Sequence, residues 1–79
     1  MSVEEEVVLL KEKIKELGSV QPDGRTGCEF GKLFEETQDI FEALNGTLRA
    51  AKRSKIVEFE GQMLLKGASD RVVVYLTAE

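Results

Sequence analysis

Few residues in this 79-residue chain can carry chemistry, and their types exclude most catalytic mechanisms. The chain has no histidine and a single cysteine, Cys28, so it lacks an imidazole base and the thiols of a disulfide or a Cys-rich zinc site. The acid pairs Glu35/Glu36 and Glu58/Glu60 have the spacing of ordinary surface charge. With no base to activate it, Cys28 is predicted to be a half-buried structural thiol. We therefore expect no enzymatic activity, no cofactor and no metal site.

Positive charge is the remaining chemical feature. The chain carries 11 Lys and Arg residues against 15 Asp and Glu residues, for a formal net charge of −4, so attraction to an acidic partner has to be local. A local group exists, consisting of Arg49, Lys52, Arg53 and Lys55. We predict this basic group as the partner-binding surface, although cations at a helix C-terminus also have a structural explanation in the helix dipole. A second candidate surface is an exposed loop that contains Gly67, Ser69, Asp70 and Arg71.

The element that positions the basic group is a helix predicted to begin at Asp39. Asp39 and Glu42 have the spacing of a capping box. The apolar residues that follow at helical spacing are Ile40, Leu44, Leu48 and Ala51. We expect this helix to form the centre of the core and to give way to a strand near Ile56. Gly46 within it costs about 1 kcal/mol relative to alanine, so it marks either a close approach of another backbone or a tolerated defect.

The N-terminal segment predicts another helix, from Val3 to Leu17. Apolar residues step by four and three along it, and Ser2 with Glu5 forms an S-x-x-E start. Gly18 follows as the predicted C-cap. The acidic first turn and the lysines further along complement the helix dipole, so this charge pattern indicates a solvated, stabilised helix.

The remaining predicted elements are short. They are a turn at 21–24, an edge strand at 26–30, a helix at 31–36, a strand at 56–59, and a hairpin of 63–66 with 72–76. The last strand is apolar on both faces, so we expect it to be central, with 26–30 as its second neighbour. This order predicts an α+β, winged-helix-like fold with three helices and a small three-stranded antiparallel sheet.

The length and the ends of the chain predict its class. Residues 1–79 are expected to form a single small domain. The acidic N-terminus lacks the basic region and apolar run of a signal peptide, and no apolar run approaches the roughly 18 residues of a membrane span. We therefore expect a cytoplasmic protein, monomeric, with no membrane association.

Two segments closely resemble the Costars family: FGKLFEE at 30–36 and IFEALNGTLRAAKRSKIVEFEGQMLLKG at 40–67. The N-terminal EEEVVLLKEKIKELGSVQPDG is also similar, so the resemblance covers nearly the whole chain. It implies a winged-helix-like domain that acts in actin-filament organisation and cell motility, with actin or a cofilin-type regulator as partner. Relative to the family pattern the chain is slightly shorter between Phe34 and Ile40. It also carries Asn45 where an apolar residue is usual, and Ala68-Ser69 in place of Val-His.

Two other functions remain open. A winged helix can bind DNA through its recognition helix, but the cations here lie at the helix C-terminus, away from the N-terminal positions that usually meet base edges. The helix start carries Asp39 and Glu42, which repel phosphate. The second alternative is a small protein-interaction adaptor unrelated to actin.

Overall fold

Three α-helices and a four-stranded antiparallel sheet form the fold within the residues that the computed structural model describes, 2–41, 43–61 and 63–77. In chain order the elements are α1 (Val3–Leu17), β1 (Ser19–Val20), β2 (Thr26–Glu29), α2 (Phe30–Thr37), α3 (Leu44–Arg53), β3 (Val57–Glu58) and β4 (Val73–Leu76). The sheet order is β1-β2-β4-β3. The predicted α+β class and its three helices are confirmed, but the three-stranded sheet is wrong. The winged-helix description stays a prediction.

Helix α1 has the predicted bounds and forms the centre of the core. The Ser2 hydroxyl accepts a hydrogen bond from the Glu5 N–H at 3.2 Å, and the Gly18 N–H donates to the Ile14 carbonyl at 2.9 Å. Leu10 and Ile14 are fully buried, and α1 contacts α2, α3, β2 and β4. Because α3 contacts chiefly α1 and β3, the prediction that α3 is the centre of the core is wrong.

The additional strand is β1, which pairs with β2 through the predicted turn. Ser19 lies opposite Gly27, and Val20 lies opposite Thr26. Strand β2 is therefore an inner strand, and the prediction that 26–30 is an edge strand is wrong. A strand of two residues shows no alternation of apolar and polar side chains, so sequence periodicity has no means of detecting it.

Strand β4 is central, as predicted, and β2 is its second neighbour. Its other partner is β3, in which Val57 lies opposite Leu76. The predicted hairpin of 63–66 with 72–76 is not formed. The Leu65 N–H donates to the Ser69 hydroxyl, and the Leu65 carbonyl accepts from the N–H groups of Ala68 and Ser69. These local bonds engage the backbone groups of Leu65 in a turn and leave them unavailable to a strand partner.

Helix α3 begins at Leu44, so the predicted start at Asp39 is wrong. The N–H groups of Ile40 and Phe41 both donate to the Thr37 carbonyl, which makes the preceding segment a turn at the end of α2. The N-cap is Ala43, with no side-chain cap. Glu42, the other half of the predicted capping box, lies outside the described residues. The buried face of α3 carries the predicted Leu44, Leu48 and Ala51.

Helix α2 is one residue longer at each end than the predicted 31–36. It brings Gly31 against the loop before β4, where a Cβ would lie 2.9 Å from the Asp70 Cβ. By contrast, a Cβ on Gly46 would meet only the Ala43 Cβ, at 3.7 Å. Of the two explanations for Gly46, the close approach of another element is therefore not seen within the described residues. Gly31 is a glycine at which such an approach does occur.

Candidate functional site

Two members of the predicted basic group form an exposed pair on α3. Arg49 and Arg53 are one helical turn apart and both are exposed. Neither makes an ion pair with another residue that the structure describes. They line a shallow groove of about 270 Å³ together with Gly46 and Ala50. We call Arg49 and Arg53 the arginine pair.

Lys52 is a structural residue. Its Nζ donates to the Phe59 carbonyl at 2.9 Å and also to the Gly61 carbonyl. The same Nζ lies 4.4 Å from the centroid of the Phe59 ring. Because its donors and its charge are engaged by the segment after β3, Lys52 does not present a free cation to a partner.

Lys55 occupies a special backbone position at the end of α3. Its φ of 61° is in the left-handed region, which glycine adopts most readily. The Lys55 N–H donates to Lys52 O, and the Ile56 N–H donates to Ala51 O. This pattern is a Schellman motif with lysine in the usual glycine position, so Lys55 ends the helix as well as adding positive charge.

The second predicted surface, the loop from Gly67 to Arg71, is largely fixed by its own side chains. Asp70 accepts a hydrogen bond from the Gly67 N–H at 2.6 Å and from the Lys66 Nζ at 2.9 Å. These two donors, the Gly67 N–H first, hold the pKa of the Asp70 carboxyl below its ordinary value. The Ser69 hydroxyl accepts from the Leu65 N–H. Gly67 adopts a φ of +97°, which the turn requires.

Arg71 is the exposed charge of this loop. It borders a shallow groove of about 350 Å³ whose lining includes Glu60 and Tyr75. The loop is joined to α2, because the Gly31 N–H donates to the Asp70 carbonyl and Lys66 pairs with Glu35 at 3.8 Å. No hydrogen bond or ion pair among the described residues joins the loop to the arginine pair, so the structure does not merge the two predicted surfaces into one.

Sequence reasoning missed a segment that lies along α3. Residues 59–61 and 63–65, which we call the strap, follow the start of β3 at Val57 and are fastened at both ends. Lys52 binds the carbonyls of Phe59 and Gly61 at one end, and the Asn45 Oδ1 accepts from the Leu64 N–H at 3.3 Å at the other. The unusual polar residue Asn45 was the sequence signal for this contact, and it anchors the strap.

The strap presents apolar side chains to solvent. Leu64 is buried, whereas its neighbours Met63 and Leu65 are 51% and 55% exposed. The apolar run Met63-Leu64-Leu65 predicted a strand of a hairpin from sequence, but in the structure these residues belong to no strand.

The single thiol of the chain lies in the core. Cys28 is buried rather than half buried, and burial raises the pKa of its thiol, which favours the unreactive protonated form. Over 2–41, 43–61 and 63–77 no three His, Cys, Asp or Glu side chains are grouped as metal ligands. Among the helices described, none is both long and apolar enough to cross a membrane.

Comparison with known proteins gives a consistent result. The Costars family model matches residues 2–77. A Costars family protein of Oryza sativa subsp. indica is 54% identical over 78 residues, which cover 96% of this chain and 90% of the rice protein. The Costars family protein ABRACL of Danio rerio is 51% identical, with 96% of each chain covered. The solution structure of human HSPC280 protein matches with a TM-score of 0.94 and 47% identity, covering 100% of this chain and 95% of that one.

Proposed function

The chain belongs to the Costars family, and from this premise we propose that it is a non-catalytic regulator of actin cytoskeleton organisation and cell motility. It acts by binding actin or an actin-regulating protein such as cofilin, through the arginine pair on α3. The proposal places the protein in the cytoplasm as a monomer. It also retains the winged-helix-like description, with the loop from Gly67 to Arg71 in the place of a wing.

The observation that carries the proposal is the exposure of Arg49 and Arg53 side by side on α3. Both are exposed, and the groove between them is lined by the small residues Gly46 and Ala50. Actin is acidic, and guanidinium groups bind carboxylates in a planar, two-pronged geometry. A local cluster of this kind steers an acidic partner even when the net charge of the protein is −4.

The proposal takes two of the four predicted basic residues, Arg49 and Arg53, as the site. Lys52 holds the strap and Lys55 occupies the left-handed position that ends the helix, so we leave both residues unchanged in the binding test. A test of partner binding therefore changes Arg49 and Arg53 alone.

The test is co-sedimentation with actin filaments across a salt series, with and without cofilin. The variant is Arg49→Glu with Arg53→Glu. The matched control is Lys15→Glu with Lys32→Glu, which makes the same charge change at exposed helical positions. Lys15 lies in the last turn of α1, as Arg53 lies in the last turn of α3. We expect the wild type and the control to pellet with filaments, less at high salt, and the arginine variant to stay in the supernatant.

Three results contradict parts of the proposal. If the arginine variant pellets as well as the wild type, the arginine pair is not the site. If neither form pellets but both change cofilin-driven severing, direct actin binding is wrong and a cofilin-type regulator is the partner. If filaments and severing are both unaffected, the actin function is wrong.

A further inference from the structure

The strap runs antiparallel to α3, as its two anchors show. Asn45, early in α3, binds the late strap residue Leu64, whereas Lys52, late in α3, binds the early strap residues Phe59 and Gly61. The buried Leu64 side chain adds an attachment to the core. Helix and strap therefore form one supported surface.

Arg49 of the arginine pair lies on the strap side of α3. Asn45, Arg49 and Lys52 recur at i, i+4 and i+7, so Arg49 is on the side of α3 that carries both strap anchors. Met63 lies between the same two anchors on the strap. A cationic side chain of α3 and an exposed apolar side chain of the strap therefore both lie between the same two anchors.

The apolar part of the surface consists of two exposed side chains on the strap. Four large hydrophobic side chains are exposed among the described residues, and two of them, Met63 and Leu65, flank Leu64 on the strap. The other two are Val8 on α1 and Val20 on β1. Exposed apolar side chains beside charged ones are typical of protein interaction sites.

We propose that α3 and the strap together form a docking surface for an acidic amphipathic helix of the partner protein. Carboxylates of that helix pair with Arg49 and Arg53, and its apolar side chains cover Met63 and Leu65. This inference rests on the proposed function, because it takes the arginine pair as the partner-binding site, and it adds the kind of element that binds there.

The geometry of α3 favours a helix as the occupant. Side chains one helical turn apart have Cβ atoms about 5–6 Å from each other, so two arginines at i and i+4 match two carboxylates at i and i+4 of a partner helix. The position of Gly46 in the groove leaves open space, since a Cβ there would contact only Ala43. A leucine at that position would fill the groove from which the partner helix is proposed to approach.

The experiment uses a synthetic probe that does not depend on actin. A fluorescently labelled amphipathic helix of about 18 residues, roughly five turns, carries leucines on one face and glutamates one turn apart beside them. The comparison peptide has lysines in place of the glutamates. Binding to the full chain is measured by fluorescence anisotropy.

Two variants and a matched control test the surface. The first variant is Met63→Ser with Leu65→Ser, and the second is Gly46→Leu. The control, Val8→Ser with Val20→Ser, removes the same kind of exposed apolar side chain elsewhere. Circular dichroism and thermal melts verify that each variant is folded.

We expect the acidic helix to bind and the basic helix not to bind. Each of the two variants should weaken binding about tenfold, while the control should change it by less than about twofold. No measurable binding of the acidic helix, equal binding of the basic helix, or equal loss in the control would overturn the inference.

The same variants in the actin and cofilin sedimentation separate this inference from the proposed function. If the acidic helix binds as expected but actin and cofilin are unaffected, the docking surface stands and the actin function fails. If filament binding requires the arginine pair but is unchanged in both strap and groove variants, the function stands and the docking surface is wrong. Self-association of the chain that competes with the acidic helix would identify a second copy as the occupant and also overturn the inference.

Discussion

Lys52 and Arg49 lie three residues apart on α3, and their side chains have different roles. The Lys52 ammonium is engaged by two backbone carbonyls and an aromatic ring, whereas Arg49 is exposed without an ion pair among the described residues. Composition and spacing give both the same description, a cation near a helix C-terminus. Only the position of the strap distinguishes them, and that position depends on contacts between residues far apart in sequence.

Lys52→Met is predicted to destabilise the fold. Methionine retains the apolar stem but removes the donors to Phe59 and Gly61, so we expect the free energy of unfolding to fall by about 1–2 kcal/mol. Urea denaturation measures the change. Lys55→Met is the control, because the Lys55 side chain makes no hydrogen bond or ion pair with any described residue, and its effect should stay within about 0.5 kcal/mol. Equal effects of the two changes would show that the strap contact contributes nothing.

Asp70→Asn is predicted to lower stability in a pH-dependent way. The folded-state pKa of Asp70 is depressed below its ordinary value of 3.8, first by the Gly67 N–H and then by Lys66. A depressed carboxyl pKa stabilises the folded state above the unfolded pKa, and this stabilisation is lost as pH falls through the folded pKa. The difference between wild type and variant should therefore be full at pH 7 and shrink as pH falls below 3.8. Denaturant titrations across pH measure it, with Glu36→Gln as the exposed control. A difference that is independent of pH would exclude the charge of Asp70 as its source.

At the scale of elements, α1 could be predicted from sequence and the region after α3 could not. Val7, Leu10 and Ile14 repeat at helical spacing between a Ser2 cap and Gly18, so every local signal for α1 agrees. Residues 63–65 form an apolar run that predicts a strand, yet the N–H groups of Leu64 and Leu65 bind the side chains of Asn45 and Ser69 instead of a neighbouring strand. An apolar run indicates that a segment is partly buried, but it does not show whether its backbone has a strand partner.

At the end of α3 as well, the sequence predicts the element but not the backbone conformation. The sequence predicted the change from helix to strand near Ile56, and β3 begins at Val57. It did not reveal that Lys55 takes the left-handed conformation, because lysine carries no signal for it. Two of the four predicted basic residues, Lys52 and Lys55, were thus assigned to binding from their charge alone.

Lys55→Gly is predicted to stabilise the protein by about 1 kcal/mol. Glycine adopts a φ of 61° without the steric cost that a side chain imposes, and the Schellman hydrogen bonds of Lys55 and Ile56 involve only backbone atoms. Thermal unfolding measures the gain. Lys55→Ala is the control, since it removes the charge but keeps a Cβ, and it should give no comparable gain. Weakened filament binding in both variants would instead return Lys55 to the partner-binding surface.

At the scale of the whole molecule, α1 joins the parts of the fold. It contacts the other two helices and the two inner strands of the sheet, and its side chains Leu10 and Ile14 are completely buried. A chain of 79 residues has little apolar surface to spare, so its net stability is expected near the low end of about 5–15 kcal/mol. The arginine pair and the strap are therefore positioned by a core whose integrity depends on few side chains.

Leu10→Ala is predicted to remove about 3–5 kcal/mol of stability, because it deletes buried methyl groups and leaves a cavity between elements that α1 joins. A loss of this size approaches the expected total, so the variant should be largely unfolded at 37 °C. If the chain is one domain, as its length predicts, far-UV circular dichroism and the fluorescence of its single tyrosine, Tyr75 on β4, should show coincident urea transitions in the wild type. Val8→Ala on the exposed face of the same helix is the control and should change stability by less than about 0.5 kcal/mol. Separate transitions for the two signals, or a loss below about 1 kcal/mol in Leu10→Ala, would show that α1 and the sheet are not held together by one core.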